Sequence, residues 1–318
     1  MLTLDFINVG YGDAILVQED GFTMLIDCGD CNLGKRSPCS RRISAADFLA
    51  YEKIKSLDLL VLTHLHLDHT GGLDQLLKSV RIRRFIANYL PEPSESGFQK
   101  SAPTLQDCSP DPGTNCLIRS MKIFMESIIR MHEAGTEIKR ISGEMILQHR
   151  DLNIFISGGM QKYLIRQAEI LDRFNKNRDN VDDLKELDRF INDTSSRIRI
   201  EYQDFSVELP GDTTASCWEN CSPHSCDLVK LPHHGHSDSM TESLLKRIRP
   251  AYAVISVSDD RTDNCPDTNI LQILEKAHCQ VFFTDSLPPP GQSASDYHRS
   301  VRCIIDDFGQ AHISYTNF

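Results

Sequence analysis

Thr63-His64-Leu65-His66-Leu67-Asp68-His69-Thr70-Gly71-Gly72 places three imidazoles and one carboxylate within six consecutive positions, directly after the apolar run Leu59-Leu60-Val61-Leu62. Imidazole is the commonest metal-binding side chain, and a neighbouring carboxylate suits a hard divalent cation. The aliphatic, β-branched run predicts a short buried strand over residues 58–62. A strand with this exit presents its metal ligands at the edge of a sheet. In extended chain, side chains alternate between faces, so His64 and His66 point the same way and can share one ion. Asp68 keeps that parity. His69 breaks it unless the chain turns, and Gly71-Gly72 is the expected turn. A turn there lets Asp68 and His69 hold a second ion beside the first.

Two later strand exits carry residues of the same kind. One is Leu209-Pro210-Gly211-Asp212, closing a hairpin read over residues 197–201 and 204–209. The other is Leu228-Val229-Lys230-Leu231-Pro232-His233-His234-Gly235-His236-Ser237. Further strands are read at 2–8, 13–18, 22–26, 82–87, 138–141, 145–156, 281–284, 301–305 and 312–315. Helices are read at 43–55, 239–248 and 267–276. Residues 88–115, punctuated by Pro91, Pro93, Pro103, Pro110 and Pro112, read as a long loop. Leu117, Met121, Phe124, Met125 and Ile128 recur at helical spacing over 117–133. Residues 161–191 read as one long helix or two, with a densely charged outer face. The whole predicts a single α/β domain over 1–318, two mixed sheets flanked by helices, with a loop and helical insertion at 88–195.

A formal net charge of −11 argues against a broad grip on duplex DNA, whose affinity comes from neutralising phosphates with Lys and Arg. A small phosphodiester, or the end of a single strand, remains compatible, because two divalent cations make a site locally positive. No apolar run approaches the ~18 residues of a membrane span, and the N-terminus lacks a signal-peptide core. No membrane association is expected. The 11 cysteines are odd in number and form no tidy disulfide framework, which suits reduced thiols in a cytoplasm. Cys28, Cys31 and Cys39 form one cluster, and Cys217, Cys221, His224 and Cys226 another. Neither spacing fits a zinc or iron–sulfur pattern well, so small buried thiols are the expectation.

The His-x-His-x-Asp-His segment resembles the signature of metallo-β-lactamase-fold hydrolases. Other blocks narrow the resemblance to the soluble hydrolase domain of the competence protein ComEC. They are Phe6-Ile7-Asn8-Val9-Gly10-Tyr11-Gly12-Asp13-Ala14-Ile15-Leu16, Leu25-Ile26-Asp27-Cys28-Gly29, Leu209-Pro210-Gly211-Asp212, the late histidine block and Ala253-Val254-Ile255-Ser256-Val257. They stand in family order and cover most of residues 1–90 and 195–285. The resemblance implies a four-layer αβ/βα sandwich and two divalent ions, Zn or Mn, with Fe a further option. It implies His64 and His66 on the first metal, Asp68 and His234 on the second, Asp212 bridging, and His69 shared between these assignments. His233 is preferred as a substrate-facing group and His234 as the ligand. His236 and Ser237 are expected at the substrate, with Ser239 equally suited to a loop.

The implied reaction is hydrolysis of a phosphodiester, by a nuclease or small-phosphodiester esterase, using hydroxide held between the two ions. Asp68 and His233 are the expected proton-handling groups. A lactone or thioester hydrolase of the same fold is the alternative. Another is a non-catalytic, metal-stabilised partner module, docking or dimerising through the helices of residues 117–191. Two departures stand out. The second histidine of the early motif is kept, whereas some ComEC-like members replace it with aspartate. Asp263-Asn264-Cys265-Pro266 stands where the family often carries Gly-His-Pro. The third nitrogen ligand of the first metal is also missing. His132 and His149 are expected to be structural or exposed; Asn192-Asp193-Thr194-Ser195 resembles an Asn- and Ser-containing segment of ComEC-like proteins, and one of its groups, or solvent, is expected to complete that shell.

Overall fold

Leu59 and Val61 point to one side of their strand, Leu60 and Leu62 to the other, and the two pairs enter different hydrophobic cores. That alternation sets the layer order of the molecule. The computed structural model describes residues 1–30, 32–34, 40–91, 112–141, 143–177, 181–259, 265–285 and 298–317. Among these, one sheet runs in the order Ala311–Thr316, Ser300–Ile305, Leu2–Ile7, Ile15–Glu19, Phe22–Ile26, Leu59–Leu62, Arg84–Ala87, Glu137–Arg140. The second runs Gln280–Phe283, Tyr252–Ile255, Leu228–Lys230, Phe205–Leu209, Arg197–Tyr202, Leu152–Ser157, Glu144–His149.

Leu59, Val61, Met24 and Ile26 of the first sheet meet Leu228, Val254, Ile154 and Ile200 of the second in the central core. Leu60, Leu62 and Phe85 face outward, under Leu117, Phe124, Leu171, Phe174, Leu184 and Leu187. Val229, Ala253 and Ile255 face the opposite outer side, under Trp218, Leu244, Leu245, Ile270 and Leu274. Three apolar interfaces between helix, sheet, sheet and helix make the expected four-layer αβ/βα sandwich.

Each sheet has an antiparallel half and a parallel half. Phe22–Ile26, Leu59–Leu62, Arg84–Ala87 and Glu137–Arg140 are parallel neighbours in one. Phe205–Leu209, Leu228–Lys230, Tyr252–Ile255 and Gln280–Phe283 are parallel in the other. Ligand sites in α/β sheets form beyond the carboxyl ends of parallel strands. Asp27, His64, Asp212 and His234 all follow such ends.

Several sequence readings need adjustment. The early motif does not stay extended through Asp68. Leu67–Thr70 is already a helical turn, with His66 at its N-cap and the His66 carbonyl accepting from the His69 and Thr70 amides. The turn thus comes four residues before Gly71. The strand read at 82–87 divides, because Arg81–Ile82 pairs with Ser56–Leu57 in a separate ladder and Arg84–Ala87 joins the first sheet. The helix read from 117 begins at Pro112, where proline is tolerated in a first turn. Residues 161–191 hold two helices, Gln161–Asn177 and Val181–Asp188, followed by the 3-10 turn Ile191–Thr194. Most of the loop read at 88–115, together with Cys31, Cys39, Asp263 and Asn264, lies outside the described residues.

The strands Glu137–Arg140, Glu144–His149 and Leu152–Ser157 belong to the two sheets. What remains of the 88–195 segment is a helical layer over the first sheet. Its apolar stripes face the core, and Ile165, 52% exposed, is a large hydrophobic left outside. Among the described residues no helix is long and apolar enough to cross a membrane.

The layer argument predicts unequal costs of truncation. Leu60→Ala, in a fully buried position, is expected to destabilise by about 2–5 kcal/mol. Ile146→Ala, at a site 61% exposed, is expected to change stability by about 0.5 kcal/mol or less. Urea unfolding of the two variants measures the difference.

Candidate metal centre

Strand Phe22–Ile26 ends at Asp27, whose left-handed backbone (φ 57°) turns its carboxylate toward the neighbouring strand end. The Thr63 amide donates to Asp27 Oδ1 at 2.8 Å and the Thr63 hydroxyl to Oδ2 at 2.7 Å. His69 Nδ1 lies 2.7 Å from the same Oδ2. The imidazole is therefore held by its outer nitrogen and presents Nε2 inward, the arrangement that orients metal-binding histidines. His64 is held the same way, with Nδ1 3.1 Å from Thr63 Oγ1. Its Nε2 lies 3.1 Å from His66 Nδ1, so these two histidines do share a side. The other ring nitrogen of His66 lies 3.5 Å from Asp188 Oδ1, at the end of a helix in the outer layer.

From the second sheet come Asp212, after strand Phe205–Leu209, and His234, after strand Leu228–Lys230. His233 and His234 both have positive φ (46° and 51°), and Gly235 follows at 76°. Left-handed backbone at a non-glycine residue costs roughly 1–2 kcal/mol and persists only when its surroundings enforce it. At Gly235 a Cβ would also lie 2.8 Å from Pro266, so only glycine fits. That packing places buried Cys265 and Pro266 against the late histidine turn.

Four inward atoms now converge. His69 Nε2 lies 3.2 Å from Asp212 Oδ2 and 3.6 Å from Asp68 Oδ2. His234 Nε2 lies 3.3 Å and 3.1 Å from the same two oxygens. Ligand atoms about 2.0–2.2 Å from an ion in a tetrahedral shell stand about 3.3–3.6 Å apart. Asp68, His69, Asp212 and His234 thus have the spacing and the donor chemistry for a divalent cation. His64 and His66 adjoin them, the His64 and His69 rings being 4.2 Å apart, and offer two further nitrogens.

Burial and charge act together on these groups. Burial would raise the pKa of Asp68 and Asp212, but His69 and His234 outweigh it and hold both well below the carboxylate range. Burial lowers His64, as do its neighbours His69 and His66, so its ring is neutral and ready to donate a lone pair. Burial would lower His69 as well, but Asp212, Asp68 and Asp27 carry it well above its ordinary value. His234 is pushed up to about 9, because Asp212 and Asp68 outweigh burial.

Three participants escaped sequence reasoning. Lys230 is fully buried and pairs with Asp13 and with Asp212. Asp13 and Asp27 form a second cluster with His69. Lys230 left a signal: lysine is almost never buried unless paired, and this one interrupts an otherwise apolar strand. Asp13 and Asp27 stood inside the quoted motifs, but nothing local marked them as partners of histidines far along the chain.

His233 lies outside the four-atom cluster. Its Nδ1 is 2.8 Å from Asp238 Oδ1 and its Nε2 3.1 Å from Asn192 Nδ2. His236 Nε2 is 3.0 Å from the Tyr11 hydroxyl, and the Tyr11 ring packs on His234 with centroids 4.3 Å apart. Ser237 is exposed. Ser239, read as equally suited to an exposed loop or to a substrate contact, is fully buried. Ser195 Oγ accepts from the Asp212 amide at 3.2 Å. His149 stacks on Phe22, on a strand of the opposite sheet edge, and His132 lies in the last turn of Pro112–Glu133. Cys217 and Cys226 are buried, and Cys221 Sγ donates to the Cys217 carbonyl at 3.2 Å.

Residues 7–103 match the family model of the metallo-beta-lactamase superfamily. The chain has the metallo-β-lactamase fold. It is 23% identical over 298 residues to ComE operon protein 3 of Bacillus subtilis, a match covering 89% of this chain and 32% of that protein. The chain thus spans about a third of the length of this curated relative. CmlA, a diiron beta-hydroxylase from Streptomyces venezuelae, superposes with a TM-score of 0.50 at 12% identity, covering 89% of this chain and 53% of CmlA. The metallo-beta-lactamase fold protein YhfI from Bacillus subtilis has a TM-score of 0.48 at 12% identity, covering 89% and 96% of the two chains.

Without a metal ion, His234 carries a proton at neutral pH. A cation gains its Nε2 only by displacing that proton. Apparent Zn2+ affinity is therefore expected to climb as pH rises from neutral through about 9, with the proton released from His234 on loading fading over the same range. Chelator-competition titrations and a weakly buffered proton count measure both. The same shift stabilises the metal-free fold below the unfolded value of 6.5, and that contribution disappears as pH rises through about 9.

Proposed function

We propose that this chain is a metal-dependent hydrolase of phosphodiester bonds, acting on a small phosphodiester or the end of a single strand. The observation that carries the reading is the convergence of Asp68, His69, Asp212 and His234, whose ligand atoms all lie within 4.8 Å of one another, with His64 and His66 alongside. Asp68, His69, Asp212 and His234 would hold one divalent cation, and His64 and His66 would help to hold a second. When bound, two divalent cations lower the pKa of water toward ~7 and offset charge on phosphate oxygens.

The chain's own groups do the rest. Asp68 and His66 are the ligands that reach solvent, 19% and 24% exposed, whereas His64, His69 and His234 are sealed. Substrate therefore enters on the side of Asp68 and His66. Asp68 is positioned to orient the attacking water and accept its proton. We assign proton delivery to the leaving oxygen to His233, whose ring Asp238 and Asn192 hold. His236 and Tyr11 supply donors for a phosphate oxygen on the same side. Ser237, exposed beside them, is the remaining candidate contact. A net charge of −11 limits attraction of polyanions to this locally positive mouth.

A chromogenic phosphodiester with Mn2+ or Zn2+ tests the proposal. Asp68→Ala and Asp212→Ala are each expected to cut kcat/KM by about a hundredfold or more, since each removes a ligand shared with the reacting oxygens. His233→Gln is expected to lower kcat by about 10²–10⁴-fold with metal content unchanged. Turnover that survives both aspartate substitutions would sink the assignment.

A further inference from the structure

We infer that Lys230 and Asp13 form a brace that positions two ligands of the centre, Asp212 and His234, as one unit. The inference rests on the metal-centre reading above and concerns how the ligands are held, not what is hydrolysed.

Lys230 Nζ pairs with Asp13 Oδ2 and lies 3.2 Å from Asp212 Oδ1. Engaging Oδ1 leaves Asp212 Oδ2 facing His69 and His234. Asp13 comes from the other sheet, and its backbone is already tied to the site. Its amide donates to the Asp68 carbonyl at 3.3 Å, and its carbonyl accepts from the Gly29 amide at 2.8 Å. Gly12 before it has φ 129°, and a Cβ there would collide with the Asp68 carbonyl. One buried cation therefore joins the Gly12-Asp13 turn of the first sheet to the Asp212 loop of the second.

The second half of the brace is a pair of unsatisfied atoms. His234 Nδ1 and Asp13 Oδ1 are both buried without a hydrogen-bond partner, and they lie 3.9 Å apart. Buried polar atoms in a native fold are nearly always paired. When a cation takes Nε2, the ring proton stands on Nδ1, and a closure of about 1 Å forms an N–H···O bond to Asp13. His69 already shows the finished arrangement, with Asp27 2.7 Å from its Nδ1. Lys230 engages Asp13 Oδ2, which leaves Oδ1 as the acceptor that faces the ring. Asp13 and Lys230 are positioning residues, acting through Asp212 and His234.

The test strips the protein of metal and then titrates Zn2+ against a chromogenic chelator and Co2+ by visible absorption. Circular dichroism and cooperative unfolding select variants that fold. Asp13→Asn and Lys230→Met are expected to weaken binding of at least one ion by about 10–100-fold and to shift the Co2+ bands, with Lys230→Arg recovering most of the affinity. A salt bridge that merely joins the sheets would lower unfolding temperature while leaving affinity and bands unchanged. Folded Asp13→Asn and Lys230→Met proteins that bind Zn2+ within about twofold of wild type overturn the brace. If Lys230→Met does not fold, Asp13→Asn and Lys230→Arg decide by the same criteria. Wild-type protein that takes up no Zn2+ or Co2+ overturns the centre and the brace together. Hydrolysis is not read in any arm, so loss of the phosphodiester proposal alone leaves this one standing.

Discussion

Asp13, Asp27, Asp68 and Asp212 bring four carboxylates to one end of the sandwich, and three of them are almost wholly buried. A buried charge is tolerated only when paired or coordinated. Much of the local architecture follows from that demand. Asp27 is neutralised by His69 and two donors from Thr63. Asp212 and Asp13 share the one ammonium of Lys230. Asp68 and Asp212 face His69 and His234, and the carboxylates raise both imidazoles above their ordinary range.

The same demand explains why the centre straddles two sheets. A single strand exit can supply His64, His66, Asp68 and His69, but it cannot surround an ion. Asp212 and His234 arrive from strands of the second sheet, across the central apolar layer. Packing of Leu59 and Val61 against Leu228 and Val254 therefore sets the spacing of charged groups beyond the strand ends. The left-handed turn at His233-His234-Gly235 is the local strain that turns the second imidazole inward. The helical layer reaches the same edge through Asp188, beside His66, and through Asn192, beside His233.

Most of the fold was legible because its strands are strongly apolar and its turns carry glycine, proline and aspartate. Two misreadings share a cause. Residues 67–70 lack a helical pattern of their own, and the turn forms there because backbone amides of Cys28 and Gly72 bond across to His69 and Gly29. The 82–87 strand divides because Arg81–Ile82 finds Ser56–Leu57 as a partner. In both cases a contact distant in sequence overrode local preference.

The sequence by itself determined the inventory of the centre: the His64–His69 cluster, Asp212 and the His233-His234 pair, each at the exit of an apolar strand. Short spacing and alternation suffice for that, because they are local properties of the chain. Only the tertiary structure decided the pairings. It put His234, the histidine the motif already favoured, among the carboxylates, gave His69 to Asp27, and revealed Lys230 between Asp13 and Asp212. Those relations join residues far apart in sequence, as Asp13 and Lys230 are, and no local pattern encodes which buried charge will meet which.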